Sequence, residues 1–466
     1  MLLGITLFTG CGRSTSKYAL NPKDPTTITI WHYYNGAQAI AFDNLVTEFN
    51  NTVGSKKGIQ VESVSKSSVD DLTTAVTDAA EHKAGAEELP NMFQCYLDTA
   101  INLDSLSILT NLEPYLTDAE KEEYVESYLN EGIIGAKEEL KLFPIAKSTE
   151  LLAVNMTAFT PFAEETGVSL DDLATWEGIA SVAEKYYTYS NGKSFFGRDS
   201  FANYMIIGSM QLGEEIFHVE KGEVSINLNQ TAMRRLWDNY YIPYIKGYYQ
   251  HVGRFRTDDI KTGTLIAAVG SNTGMAYLPD ELTDANGNTV SASYQMLSVP
   301  NFEGTENYAV QQGASVAVTK ANKTEEYASV TFLKWLTEDE NNIELAVSSS
   351  YLPVKKSANN MSQINAFLEQ TDATLTGLSY QAFATAIQQA NEATLYTSNG
   401  FRKGYEARNL LNTSMIDLAM ADREEVMKQI ANGSSREDAL APYLTDEYFT
   451  QWYEDLKYQM DEICTE

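Results

Sequence analysis

The chain has 466 residues, 43% hydrophobic and 21% charged, with 11 Pro and 3 Cys. That length and apolar content suffice for cores in two or three domains of about 150 residues each, and they exclude extended disorder, collagen-like repeats and disulfide scaffolds. Asp and Glu outnumber Lys and Arg by 64 to 33, a formal net charge of −31, so the field of the whole chain repels nucleic acid and anionic membrane surfaces.

Residues 1–10, MLLGITLFTG, are uncharged and mostly apolar. A spanning helix needs about 20 apolar residues, so this stretch reads as the end of a secretory signal peptide. Phe8-Thr9-Gly10-Cys11 resembles a lipobox, which implies that Cys11 becomes a lipidated N-terminus. Residues 11–25 are polar, with Ser, Thr, Asn and Pro, and suit a tether. Cys95 sits in the apolar run Met92 to Leu97 and is expected to be a buried free thiol. The cysteines are too scattered for a metal site.

Thr26 to Trp31 alternates β-branched and other residues and predicts a strand. Gly36 to Asn50 predicts a helix, with Ile40, Leu45, Val46 and Phe49 on one face. A strand at Ile59–Val64, a helix at Asp70–Lys83 and a buried strand at Pro90–Leu97 complete a β-α-β-α-β order. That order implies an open α/β sheet with ligands beyond the carboxyl ends of its strands. Lys141 to Asn155 reads as a strand, a Pro, a polar patch and a second strand, an extended crossing between two lobes. Helices are expected at Ser169–Tyr187 and Ala232–Tyr249, with Trp237 in the core. Strands are expected at Tyr294–Pro300 and Ala314–Val318, and an amphipathic helix at Thr324–Thr337 carrying Ala328, Phe332, Leu333 and Leu336. From Ile364 the chain reads as helical to its end. No repeat of 20–50 residues is visible.

The sequence has no GxSxG, HExxH, Walker A or GxGxxG, and its four histidines are unpaired. No catalytic residue, metal or cofactor is expected. The remaining candidates point to recognition. The aromatics at 31–34 offer flat apolar faces for sugar C–H groups. Asp98 follows a buried strand and could accept two hydroxyls or cap a helix. Lys147 lies in the crossing segment.

In this order the pattern resembles the extracellular solute-binding proteins of ABC importers, the family that includes maltose- and glycerol-3-phosphate-binding proteins. Ile28–Asn50, Leu142–Phe159, Phe255–Leu278, Gln312–Val354 and Tyr405–Leu440 carry the resemblance, which covers nearly the whole chain after residue 25. It implies two α/β lobes of the type II periplasmic-binding fold around a cleft. Lobe one would take 26–145 and 308–355; lobe two would take 150–305 and 360–466. Carried over by position, the ligand-binding residues would be Tyr33, Tyr34, Asn35, Asp98, Lys147, Ser148, Asn203, Tyr204, Asn272, Thr273, Gln312, Gly313, Phe401 and Arg402. The implied function is capture of a small solute, a mono- or oligosaccharide first, and delivery to membrane permease subunits by a lipid-anchored monomer. Segment 271–274 lacks the Trp that many relatives carry there, which leaves a smaller or more polar ligand open. Glycerol phosphates remain the alternative ligand. An enzyme on a related scaffold, or a surface lipoprotein without a ligand, are the competing classes.

Overall fold

The computed structural model describes residues 18–283, 287–371, 373–375, 377–397 and 399–465. Cys11, the signal segment and the start of the tether lie outside the described residues. Two sheets divide the molecule. The first has the spatial order Ile59–Ser65, Thr26–His32, Met92–Cys95, Ser315–Val318 and Leu142–Phe143. Its first three strands are parallel, and Ser315–Val318 runs antiparallel to both neighbours. The second has the order Tyr294–Ser298, Glu150–Asn155, Ala267–Ser271 and Phe196–Arg198.

Thr26–His32 buries Ile28 and Ile30 because a strand turns alternate residues to one face. On the helix Gly36–Phe49 the buried stripe is Phe42, Leu45, Val46 and Phe49, the i, i+3, i+4, i+7 spacing of one helical face. Ile40, expected in that stripe, points to solvent at 65% exposure. Ala328, Phe332, Leu333 and Leu336 close over the same core from the helix Lys323–Leu336. Every residue of Glu150–Asn155 is buried. Leu152 and Val154 face one core with Trp237, while Leu151 and Ala153 face another made with the helices Met361–Thr371 and Gly377–Glu392. A strand covered on both faces reads as a continuous apolar run rather than an alternation.

Three sequence expectations change. The 169–187 segment is a short 3-10 turn, Leu170–Leu173, followed by the helix Trp176–Tyr189, because Thr175 caps a new N-terminus. The C-terminal third is not helical throughout: Thr394–Tyr396 is a strand that pairs in parallel with Tyr308–Val310. That pairing places Ala309, expected in the first lobe, in the core that Leu152 and Trp237 share. Cys95 is buried and free, and Cys464 is free and half-buried. Among the described residues no helix is long and apolar enough to cross a membrane.

His32 ends its strand inside the first core, with neither ring nitrogen hydrogen-bonded. Burial lowers its pKa from 6.5 to about 4, with nearby Asp43 opposing the shift. The unfolded chain therefore takes up this proton first. Stability is full above pH 6.5 and declines as pH falls, to a loss of about 3 kcal/mol once both states are protonated. Urea unfolding at pH 7 and pH 4.5 should show this. The loss in the native chain should exceed that in His32→Phe by about 2 kcal/mol; equal losses would remove His32 from the acid response.

Candidate ligand-binding cleft

Three chain segments pass between the lobes, and they pair with one another. Lys147 exchanges backbone hydrogen bonds with Leu352, N to O at 3.1 and 2.5 Å. Ser148 exchanges them with Gln312 at 2.8 and 3.0 Å. The 147–148 segment is thus the middle strand of a three-strand hinge. Gly313 holds a φ of 106° there, and a Cβ would lie 3.0 Å from the Ala146 carbonyl oxygen. Close approach and a left-handed backbone both require glycine at this point.

Side chains lock the hinge. The Lys147 ammonium is fully buried and donates to Glu131 at 2.7 Å, to the Gly313 carbonyl at 3.0 Å and to Ser315 Oγ at 3.0 Å. An ammonium has three donors, so Lys147 has none left for a ligand. Gln311 donates to the same Glu131 carboxylate at 2.5 Å. Asn272 accepts from the Thr149 N–H at 3.0 Å and donates to the Ser350 carbonyl at 2.7 Å, which ties two crossings together. Lys147, Ser148 and Asn272 are therefore hinge residues.

Beside the hinge a cleft of about 620 Å³ opens between the lobes, within the size range of small-molecule sites. A groove of about 630 Å³ also lies on the second lobe around Tyr244, His251, Met420 and Met427. The interlobe cleft draws residues from both lobes and the hinge, so only it changes when the lobes move. The first lobe supplies Tyr96, Asp98, Thr73, Thr74 and Glu131. The second supplies Asn203, Phe217, Phe401, Tyr405, Glu406 and Arg408, and the hinge adds Gln312 and Gly313.

Of the sequence candidates, the cleft brings together Asp98, Asn203, Gln312, Gly313 and Phe401. Tyr34 is instead in the first core with His32 and Phe42. Tyr204 is in the second core, its hydroxyl donating to the Leu236 carbonyl at 2.9 Å. Tyr204 is one helical step from Asn203 and so points to a different side of its helix, whereas Tyr34 lies in the loop after Thr26–His32 and packs back on that strand's core. Tyr33 stands behind the cleft wall, its hydroxyl 3.3 Å from that of Tyr351. Asn35 is exposed and donates to the Ser67 carbonyl. Thr273 bonds to Ser271, and Arg402 is exposed and outside the lining. Tyr96, Tyr405, Glu406 and Arg408 also line the cleft and are not among the carried-over positions. Tyr96 was within reach of the sequence as the first residue after a buried strand.

The cleft walls are chemically mixed. Tyr96 and Tyr405 keep 39% and 66% of their surface exposed on opposite lobes, which leaves ring faces free. The helices Leu97–Ser105, Phe201–Gln211 and Gly404–Ala431 all begin at the cleft, and none is capped by its own N-cap side chain. Several first-turn donors are already used: Ala202 N–H donates to Asn412 Oδ1 at 3.1 Å, Asn203 N–H to the Ser200 carbonyl at 2.8 Å and Gly404 N–H to the Phe401 carbonyl at 3.0 Å. Two of these helices start from left-handed residues, Ser200 at φ 47° and Lys403 at φ 70°. At the floor, Asn203 donates to Glu150 at 2.8 Å and accepts from Arg408, while Arg198 pairs with the same Glu150 at 2.7 Å.

A family model described as bacterial extracellular solute-binding protein matches residues 44–376, and the chain belongs to that family. Its members work outside the cytoplasm. The fold is similar to that of the cyclic alpha-maltosyl-1,6-maltose binding protein of Arthrobacter globiformis. The two share 18% identity and a TM-score of 0.65, with 93% of this chain and 99% of that one covered. UgpB of Mycobacterium tuberculosis, solved with glycerophosphocholine, gives 16% identity and TM-score 0.65 over 94% and 98%. An ABC substrate-binding protein of Listeria monocytogenes, solved with cycloalternan, gives 13% and 0.65 over 94% and 99%. No curated protein matches the chain.

Removing one member of a buried ion pair strands the other charge and costs about 3 kcal/mol or more. Lys147→Met should therefore lower unfolding free energy by that amount in guanidinium titrations, and adding Glu131→Gln should recover part of it. An unchanged midpoint in the single variant would mean that the hinge does not rest on this pair.

Proposed function

We propose that this protein captures a carbohydrate outside the cell and delivers it to the permease of an ABC importer. The observation that carries this reading is the composition of the interlobe cleft. Exposed tyrosine rings on opposite lobes stand beside Asp98, Asn203, Gln312 and Arg408. Ring faces suit the C–H faces of a sugar, and the polar groups suit its hydroxyls. Gly313 and Phe401 complete the contact set. Oligosaccharide-bound relatives with the same fold support the choice. Ligand that touches both lobes favours the closed form over the open one, since only closure makes both sets of contacts. The receptor works as a monomer, held to the outer face of the cytoplasmic membrane through a lipid on Cys11, and it performs no turnover. A glycerophosphodiester is the second reading, favoured by the Arg408 guanidinium in the cleft.

A thermal-shift screen of the soluble chain against mono- and oligosaccharides and glycerophosphodiesters tests this. A ligand at 100 times its Kd adds about 2.7 kcal/mol of stability. A rise in melting temperature with a glycan, and no chemical change in the glycan on long incubation, is expected. A shift with glycerophosphodiesters alone would replace the ligand class.

A further inference from the structure

Most charges buried in this molecule are paired. Lys147 meets Glu131 at 2.7 Å, and Arg198 meets Glu150 at 2.7 Å. Two half-buried charges in the cleft are not so paired. Asp98 stands in the first turn of the helix Leu97–Ser105 on the first lobe. Arg408 stands in the second turn of the helix Gly404–Ala431 on the second lobe. Both line the same cleft, yet no ion pair within 4.0 Å joins either of them to any described residue. Asp98 accepts no hydrogen bond from a described residue, and Arg408 spends one donor on Asn203. The Gly404 backbone closes on Asp98, whose Oδ1 would lie 2.9 Å from a Cβ there, so the two lobes already meet at this point.

We propose that Asp98 and Arg408 form a split pair that a neutral diol of the ligand completes, each lobe supplying one half. This rests on the carbohydrate reading above and names the face of the sugar that closure reads. A hydroxyl both donates and accepts. Two adjacent hydroxyls can therefore donate to the Asp98 carboxylate and accept from the Arg408 guanidinium. A phosphate or uronate would satisfy Arg408 but have no proton for Asp98, and would meet its charge instead. An ammonium would satisfy Asp98 and repel Arg408. The pair thus selects against either ionic class at one position while each hydroxyl gains a charge-assisted bond. Burial works against both charges in the ligand-free protein: it pushes the Asp98 carboxyl up and the Arg408 guanidinium down, and in each case outweighs the attraction of the other.

The test needs no ligand in its first arm. Two charges held apart for a ligand make the empty protein less stable than it would be without them. Asp98→Asn and Arg408→Gln should each raise the melting temperature of the ligand-free chain by roughly 1 °C or more. A structural ion pair predicts the reverse, with both single variants melting lower and the double variant recovering; that outcome would overturn the proposal. The second arm titrates maltotriose, cellotriose, digalacturonate, glucosamine and glycerophosphocholine by calorimetry. Neutral glycans should bind the native chain, and each variant should lose roughly tenfold to a hundredfold in affinity. Neutral-glycan binding that survives both substitutions would refute the split pair and leave the carbohydrate reading standing. Tight binding of digalacturonate or glycerophosphocholine but of no neutral glycan would overturn both.

Discussion

Closure of two lobes over a solute requires a joint that bends in one direction and does not shear, and here the middle crossing supplies it. Lys147 pairs with Leu352 on one side and Ser148 with Gln312 on the other. The three crossings therefore form one narrow hydrogen-bonded ribbon. Its register decides which residues of each lobe meet across the cleft. Asn272, Gln311 and the Lys147–Glu131 pair fasten the ribbon from the side. A slip by one residue would turn each crossing side chain to the opposite face and expose the Lys147 ammonium to the cleft. The buried pair is weak evidence for net stability; its geometric effect is to fix that register.

Buried polar groups are not all satisfied, His32 and Tyr240 among those without a hydrogen-bond partner, but several networks are complete. At the hinge, in Arg198–Glu150 and along Gln389, which bonds to Thr149, Glu150 and Val299, buried donors meet acceptors. In the cleft, no ion pair within 4.0 Å joins Asp98 or Arg408 to any described residue. Ser68, Thr117, Asn155, Thr175 and Asn322 cap helices elsewhere, while Gly36–Phe49 and Asp339–Ser349, like the helices that start at the cleft, carry no N-cap side-chain bond.

Much of the architecture was legible in the sequence because strand and helix periods are local. TTITIW and the 323–336 stripe declare their buried faces without any knowledge of the rest. The crossing at 141–155 was legible as an extended polar patch between two apolar strands. The cleft was less so. Tyr204 adjoins Asn203, which lines the cleft, but one step around the helix turns it into the core; Tyr34, in the loop after the first strand, packs into the first core with His32 and Phe42. Lys147 carries the charge of a ligand residue, and its three donors are consumed by partners that long-range folding alone brings near. Arg408 lies one helical turn beyond Gly404, and the strand Thr394–Tyr396, which sequence periodicity read as helix, helps place that helix start. Residue type indicated the chemistry; only the lobe-to-lobe approach showed which groups share a space.

The central claim is that ligand in this cleft draws the two lobes together about the 147–148 ribbon. Spin labels at Glu81 on the first lobe and Glu223 on the second, in a Cys464→Ser background, would report it by pulsed electron resonance. With a glycan that raises the melting temperature, the account predicts a shift to one shorter, narrower distance. An unchanged distance distribution at saturating ligand would contradict it.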